Sequence, residues 1–121
     1  ALADSKKRSA FGRHISQHHA SAFKLAEMAT KLEAARLLTY EAARKADAGE
    51  RVDLAAGMAK LFASETASEL ALDAMRIHGG NGFSTEYPVE RYYRDAPLMI
   101  IGEGTSEIQK LVISRALLAE D

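Results

Sequence analysis

Glu103 lies in the segment Ile100-Ile101-Gly102-Glu103-Gly104-Thr105-Ser106-Glu107, a carboxylate with a glycine on each side and two isoleucines before it. Glycine removes side-chain bulk, so the backbone here can approach a ligand closely. The apolar approach implies partial desolvation, which raises a carboxylate above its usual pKa of about 4.3 and suits it to accept a proton. A helix starting near Ser106 acts in the other direction, because its positive end favours the ionised form. On position alone, the commoner role of such a residue is to decorate a helix start. No other group competes for chemistry on spacing. The four histidines, His18 and His19 adjacent among them, lack metal-ligand spacing, so no metal is expected. The absence of cysteine excludes a disulfide framework and thiolate metal sites.

The elements that must carry Glu103 read as helices. Ala, Leu, Glu, Lys and Arg dominate residues 15–78, and alternating β-branched runs are missing, so strands have almost no support. A first long helix is expected from Ile15 to Ala48, with Ala22, Leu25, Ala26, Ala29 and Leu32 at three-and-four spacing and Gly49 as its stop. Asp53 is expected to cap a second helix, running through Leu54, Met58, Leu61 and Phe62 to Ile77, where Gly79 and Gly80 end it. The short Gly49–Val52 turn makes these two antiparallel neighbours. Pro88 opens a short helix over VERYYRDA and Pro97 stops it. A last helix starts at Ser106, which forms a capping box with Gln109 and carries Ile108, Leu111, Val112 and Leu118 on one face. Residues 1–8 read as the last turns of a helix whose beginning is missing, and the chain starts without Met, in mid-pattern. It therefore reads as a piece of a longer protein, with an apolar face left uncovered. The expected fold is all-α, an up-down helical bundle.

Bulk properties narrow the function further. With 121 residues, 47% hydrophobic and 27% charged, the chain fits one globular domain. Sixteen basic and 17 acidic residues are interspersed for a net charge of −1, which leaves no broad basic surface for nucleic acid. No apolar run approaches a membrane span, and the N-terminus ALADSKKRSAFG has no signal-peptide core, so a cytoplasmic address fits.

The run AMRIHGGNGFSTEYPVERYYRDAPLMIIGEGTSEIQKLVISR, residues 74–115, is similar to the C-terminal signature of the acyl-CoA dehydrogenase family. Upstream, RSAFGRHISQHHASAFKLAEMATKLEAARLL, residues 8–38, resembles the family's Arg-x-x-Phe-Gly segment and its following long helix. The GGNGF and EGTSEIQ blocks at this separation, with PVERYYRDA between them, make the signal specific. The resemblance implies that residues 1–121 are a C-terminal helical domain without the N-terminal helical and middle β domains. It implies an FAD enzyme that oxidises the Cα–Cβ bond of an acyl-CoA, with Glu103 taking the α-proton while hydride leaves Cβ for flavin N5.

Further roles follow from the same resemblance, residue by residue. Arg8 and Phe11 match residues that touch the FAD of a neighbouring subunit, whereas alone they read as a helix-end cation and a core aromatic. Gly79 and Gly80 match the pair lying close to the FAD adenosine half, and otherwise read as a helix C-cap. Thr105, Ser106 and Glu107 align with FAD contacts and equally with a helix cap. His19, Arg76 and Glu107 stand where glutamine is frequent at FAD-binding positions, and Gly102 stands where tyrosine is common. Gly104 and Arg115 match substrate-binding positions, Arg115 otherwise being a surface or ion-pairing residue. The implied partners are acyl-CoA, an electron-transfer flavoprotein and further copies in a dimer or tetramer, in the cytoplasm or, in a eukaryote, the mitochondrial matrix. Two other functions compete: a non-catalytic assembly domain, and an acyl-CoA oxidase or nitroalkane-oxidising enzyme on the same scaffold. A carboxylate between glycines is superfluous to assembly, and the nitroalkane-oxidising relatives carry Asp where Glu103 stands.

Overall fold

The computed structural model describes residues 1–119 and is all-α apart from one minimal hairpin. A short helix α1 (Leu2–Lys7) leads into strands β1 (Ser9–Ala10) and β2 (Arg13–His14), paired antiparallel as Ser9 with His14 and Ala10 with Arg13. A single 3-10 turn (Ile15–Gln17) precedes the long helix α2 (His19–Asp47). Then come α3 (Asp53–His78), a 3-10 turn (Gly79–Phe83), α4 (Val89–Ile101) and α5 (Ser106–Leu118). The first helix thus starts four residues later than the sequence pattern suggests, because the hairpin and 3-10 turn take up Arg13–Gln17.

Helix α3 is the axis of the fold, and small residues let it be so. Gly57, Ser64, Ala71 and His78 recur every seven residues and are buried, as are Ala59, Thr66 and Asp73 on a second stripe offset by two. Seven residues return nearly to the same face of a helix, while two turn through about 200°, so the stripes lie on opposite sides. One side meets α5 and α4: a Cβ on Gly57 would lie 3.1 Å from Ile113 Cγ1. The other side meets α2. Asp73 pairs with Lys24 at 3.2 Å, and Thr66 shares a groove with Leu32, Ala35 and Thr39. The pairs Lys24–Asp73 and Lys31–Glu69 run in opposite chain directions, so α2 and α3 are antiparallel, as expected from their short connection. Lys60 bonds to Ile100, while Ser68 and Leu72 lie beside Tyr93 and Pro97, so α3 and α4 are antiparallel too.

Several expectations change. Met58 and Phe62, on the path expected for the second helix, are each 37% exposed, because α3 packs through its small residues. On α2 Ala35 is the one buried residue, and Phe23, Leu32, Leu37 and Tyr40 are exposed. On α5, Ile108, Leu111 and Leu118 are exposed, and Val112 and Ile113 make the contact with Gly57. Asp53 is the first residue of α3 and makes no cap; Val52 holds the cap position, and the Asp53 carboxylate turns to Arg51 at 2.6 Å. Pro88 holds the position just before α4 without a capping bond from its side chain, and Pro97 sits inside the helix instead of ending it. A proline there removes one hydrogen bond and crowds the carbonyl four residues back, at a cost of about 3 kcal/mol. Packing against α3 on both sides of Pro97 carries α4 on to Ile101.

Candidate active site

Glu103 sits in the sharp link between α4 and α5. The chain leaves α4 at Gly102 in extended conformation, with its N–H bonded to Leu98 O at 2.7 Å. Glu103 then takes φ +54° and Gly104 φ +95°, before Thr105 returns to extended backbone and caps α5. A left-handed conformation costs a residue with a Cβ about 1–2 kcal/mol. Two side chains hold the link in that shape. The Lys60 ammonium, reaching across from α3, donates to Ile100 O at 2.9 Å and to Gly104 O at 2.6 Å. Gln109 Nε2 donates from α5 to Glu103 O at 3.1 Å and Gly104 O at 3.4 Å. Gly104 is fixed by space as well as by φ, since a Cβ there would meet Gln109 Nε2 at 2.9 Å. The result is an exposed carboxylate at the lip of an open groove of ≈ 350 Å³, walled by Lys60, Ala63, Ser64, Ala67, Met99 and Gly102. Such a groove suits hydrocarbon, and the carboxylate at its lip is placed to exchange a proton with a bound molecule.

A second group forms at the far end of α3. The two-residue loop Phe11-Gly12 has φ +52° and +75°, the pattern of a type I′ hairpin turn. That turn throws the Phe11 ring outward, 96% exposed and edge-on to His18 at 6.4 Å. Phe11 is therefore no core aromatic. His18 Nε2 lies 3.0 Å from Ala10 O and ties the hairpin to the start of α2. Arg8 ends α1, and its guanidinium donates through Nη1 to His78 O and through Nη2 to Ile77 O, the last carbonyls of α3. Gly79 follows with φ +61°, and a Cβ there would lie 2.8 Å from Arg8 Nη1. Gly80 faces open space.

The remaining candidates are more dispersed. His19 is exposed at the start of α2 and stacks on Phe23 at 5.9 Å. Arg76 is exposed and pairs with Asp73 at 3.4 Å, and Arg115 is exposed in the last turn of α5. Thr105, not Ser106, caps α5, its hydroxyl accepting from Ile108 N–H at 3.4 Å. The expected capping box is absent because Thr105 has the extended backbone a cap needs, while the Gln109 amide is committed to Glu103 and Gly104. Ser106 is buried, with an unpartnered Oγ. The Glu107 carboxylate is held below its ordinary pKa by its own backbone N–H, then by the Thr105 hydroxyl. Glu103 to Glu107 thus form one group, and Arg8, Phe11, Gly79 and Gly80 another. Lys60 and His78, which mark them, are 18 residues apart on α3, about 27 Å along its axis. Lys60 is absent from the residues singled out by sequence, although it is the one cation between Arg51 and Arg76.

The fold is a helical bundle that holds one carboxylate in a glycine-flanked left-handed turn at the lip of an apolar groove. The chain belongs to the acyl-CoA dehydrogenase family: the family model described as "Acyl-CoA dehydrogenase, C-terminal domain" matches residues 1–118. It is 50% identical over 118 residues to a 3-(aryl)acrylate reductase of Clostridium sporogenes, covering 98% of this chain and 31% of that protein. It is 48% identical over 118 residues to a caffeyl-CoA reductase-Etf complex subunit of Acetobacterium woodii, with the same 98% and 31% coverage. Among solved structures, butyryl-CoA dehydrogenase from Megasphaera elsdenii superposes with a TM-score of 0.95 at 43% identity, over 97% of this chain and 30% of that one. The chain therefore spans under a third of the length of these relatives. Among the described residues, no helix is long and apolar enough to cross a membrane, and no group of three or more potential metal ligands occurs.

Proposed function

We propose that this chain is the C-terminal domain of an FAD-dependent acyl-CoA dehydrogenase, in which Glu103 is the base that removes the α-proton of an acyl-CoA thioester. The observation that carries this reading is Glu103 itself: the one non-glycine residue besides Phe11 held at positive φ among the described residues, between two glycines at the lip of an apolar groove. Strain of that kind persists where surrounding structure over-determines it, as it does at active sites. The groove walls Ala63, Ala67 and Met99 take the acyl chain, and Gly102, which also lines the groove, leaves room for the thioester beside the carboxylate.

The residues fit a flavin on two counts. At the implied flavin positions the buried Ser106 Oγ beside the base has no hydrogen-bond partner, and at the far group Arg8 Nε has none either and faces the Asp4 carboxylate at 4.0 Å. Phe11 is fully presented and Gly80 offers bare backbone. Ser106 and Thr105 would hold the flavin near Glu103, while Arg8, Phe11, Gly79 and Gly80 would hold the FAD of a neighbouring copy, which makes the working unit a homo-oligomer. When bound, the flavin supplies the hydride acceptor. Glu103 takes the α-proton onto a carboxylate oxygen and keeps it until release. An electron-transfer flavoprotein is the proposed acceptor, in keeping with the Etf-complex relative.

A second reading rests on the two relatives named as reductases. By microscopic reversibility the same carboxylate returns a proton to the α-carbon of a 2-enoyl thioester, so the direction is set by the redox partner. One experiment covers both readings. The full protein, with its flavin, is mixed anaerobically with saturated acyl-CoAs in the oxidised state and with 2-enoyl-CoAs in the reduced state. Glu103→Gln is expected to slow flavin bleaching or recovery by ~10²-fold or more. Unchanged rates in both directions would exclude Glu103 as the acid–base group.

A further inference from the structure

A lysine on α3 bridges the two carbonyls that bracket the Glu103 turn. Lys60 Nζ is 2.9 Å from Ile100 O, before Glu103, and 2.6 Å from Gly104 O, just after it. The first carbonyl belongs to the last turn of α4, where carbonyls are unpaired within the helix and carry its negative end, so an ammonium is favoured there. The second belongs to a glycine at φ +95°. Gln109 closes the same link from α5, at 3.1 Å from Glu103 O. Each carbonyl from Glu103 to Gly104 therefore has a side-chain donor from a different helix, and neither donor is in the signature turn itself. Without them a glutamate between two glycines would relax out of the left-handed region, because nothing local favours it there.

We infer that Lys60, assisted by Gln109, is a positioning residue for the base: it holds Glu103 in the left-handed conformation that aims its carboxylate across the groove. The inference rests on Glu103 being the acid–base group, as proposed above. Lys60 also lines that groove, so the stem of its side chain forms part of the wall along which a bound chain would run. Its ammonium is spoken for by two carbonyls and leaves Glu103 free to exchange a proton.

The test uses the full protein with its flavin, comparing Lys60→Met, Lys60→Arg, Gln109→Leu and Glu103→Gln. Lys60→Met keeps the length of the stem and removes the donor. Misplacement of a reacting group by about an ångström costs on the order of 10²-fold in rate, so Lys60→Met is expected to lower kcat for flavin reduction by ~10- to 100-fold. KM for the acyl-CoA should move by less than about threefold, since uniform binding is untouched. Lys60→Arg, which retains a cationic donor, should recover part of the loss. Gln109→Leu should give a smaller drop in kcat with the same unchanged KM. Wild-type kcat in a folded, flavin-loaded Lys60→Met protein would overturn the inference. A loss confined to KM, or no recovery with Lys60→Arg alongside unchanged kcat in Gln109→Leu, would also overturn it and leave Lys60 as wall alone. If Lys60→Met does not fold, Gln109→Leu decides by the same criterion. Failure of the base assignment looks different, because Glu103→Gln would then react at the wild-type rate whatever the Lys60 variants do.

Discussion

The C-terminal ends of α3 and α4 solve one problem with different residues. Each helix stops with carbonyls to satisfy, and each receives a long cation from another element: Arg8 reaches Ile77 O and His78 O, and Lys60 reaches Ile100 O and Gly104 O. Each is followed by backbone at positive φ, at Gly79 and at Glu103. At the end of α3 the residue is glycine, the type that adopts this conformation without penalty. At the end of α4 it is glutamate, although a glycine stands on either side of it. A fold that needed the turn alone would put glycine at both. The difference marks the second end as one where a side chain is retained against local conformational preference, which is what a proton-transferring carboxylate requires.

The largest effect expected from this comparison is at the end that already carries glycine. Gly79→Ala adds a Cβ at φ +61° and within 2.8 Å of Arg8 Nη1, so it strains the backbone and displaces the guanidinium together. Strain of about 1–2 kcal/mol plus loss of charge-assisted bonds to two carbonyls should destabilise the protein by roughly 2–4 kcal/mol. Chemical denaturation of the full protein checks it. A change below about 0.5 kcal/mol would mean that Arg8 does not depend on this glycine, and the likeness of the two ends would fail.

The converse substitution acts at the other end. Glu103→Gly relieves the left-handed penalty of a residue with a Cβ, and the gain is partly offset by the extra backbone entropy glycine loses on folding. The net expectation is a stabilisation of about 0.5–1 kcal/mol, together with loss of acyl-CoA-dependent flavin reduction. Gains in stability at the expense of activity are the mark of a strained functional position. If Glu103→Gly were instead less stable than wild type, the glutamate side chain would be contributing to the fold, and retention for chemistry would lose its support.

One of these ends is legible in the sequence, and half of the other. Gly79 reads directly as a helix stop, because glycine after an apolar-periodic run is a strong signal. Glu103 between glycines reads as a base candidate only with the aligned EGTSEIQ block. Its support from Lys60 is invisible, since a lysine in the middle of an Ala-rich helix looks like any solvated charge until α4 is folded against it. The core is hidden for a related reason. Periodicity weights large residues such as Met58 and Phe62, whereas α3 is buried through Gly57, Ala59, Ser64 and Thr66, which let neighbouring helices close in. Pro97 misleads in the same manner: a local helix stop is outweighed by packing on α3. Motif alone picks out Arg8 and Phe11, but their settings come from contacts and turn geometry that join distant residues.

The two ends differ again in the element that succeeds each of them. Beyond Gly79 comes a 3-10 turn, but beyond Glu103 comes the N-terminus of α5, whose unpaired N–H groups and positive end lie beside the Glu103 turn. Thr105 and Glu107 meet that end locally: Thr105 caps Ile108, and the Glu107 carboxylate accepts from its own backbone N–H and from the Thr105 hydroxyl. These bonds lower the Glu107 pKa in the folded chain relative to the unfolded one. The folded state therefore binds fewer protons than the unfolded state in this range, and the stabilisation is present above the unfolded value of about 4.3. It is lost as pH falls from there through the lowered folded value. Glu107→Gln should consequently melt slightly below wild type at neutral pH, with the gap closing as the pH drops beneath about 4.3. The carboxylate is fully exposed, so the gap should be the smallest of these effects and should shrink with added salt. A difference in melting temperature that persisted unchanged into acid would assign Glu107's role to packing rather than charge, and would leave the positive end of α5 to act on Glu103 without that local counterweight.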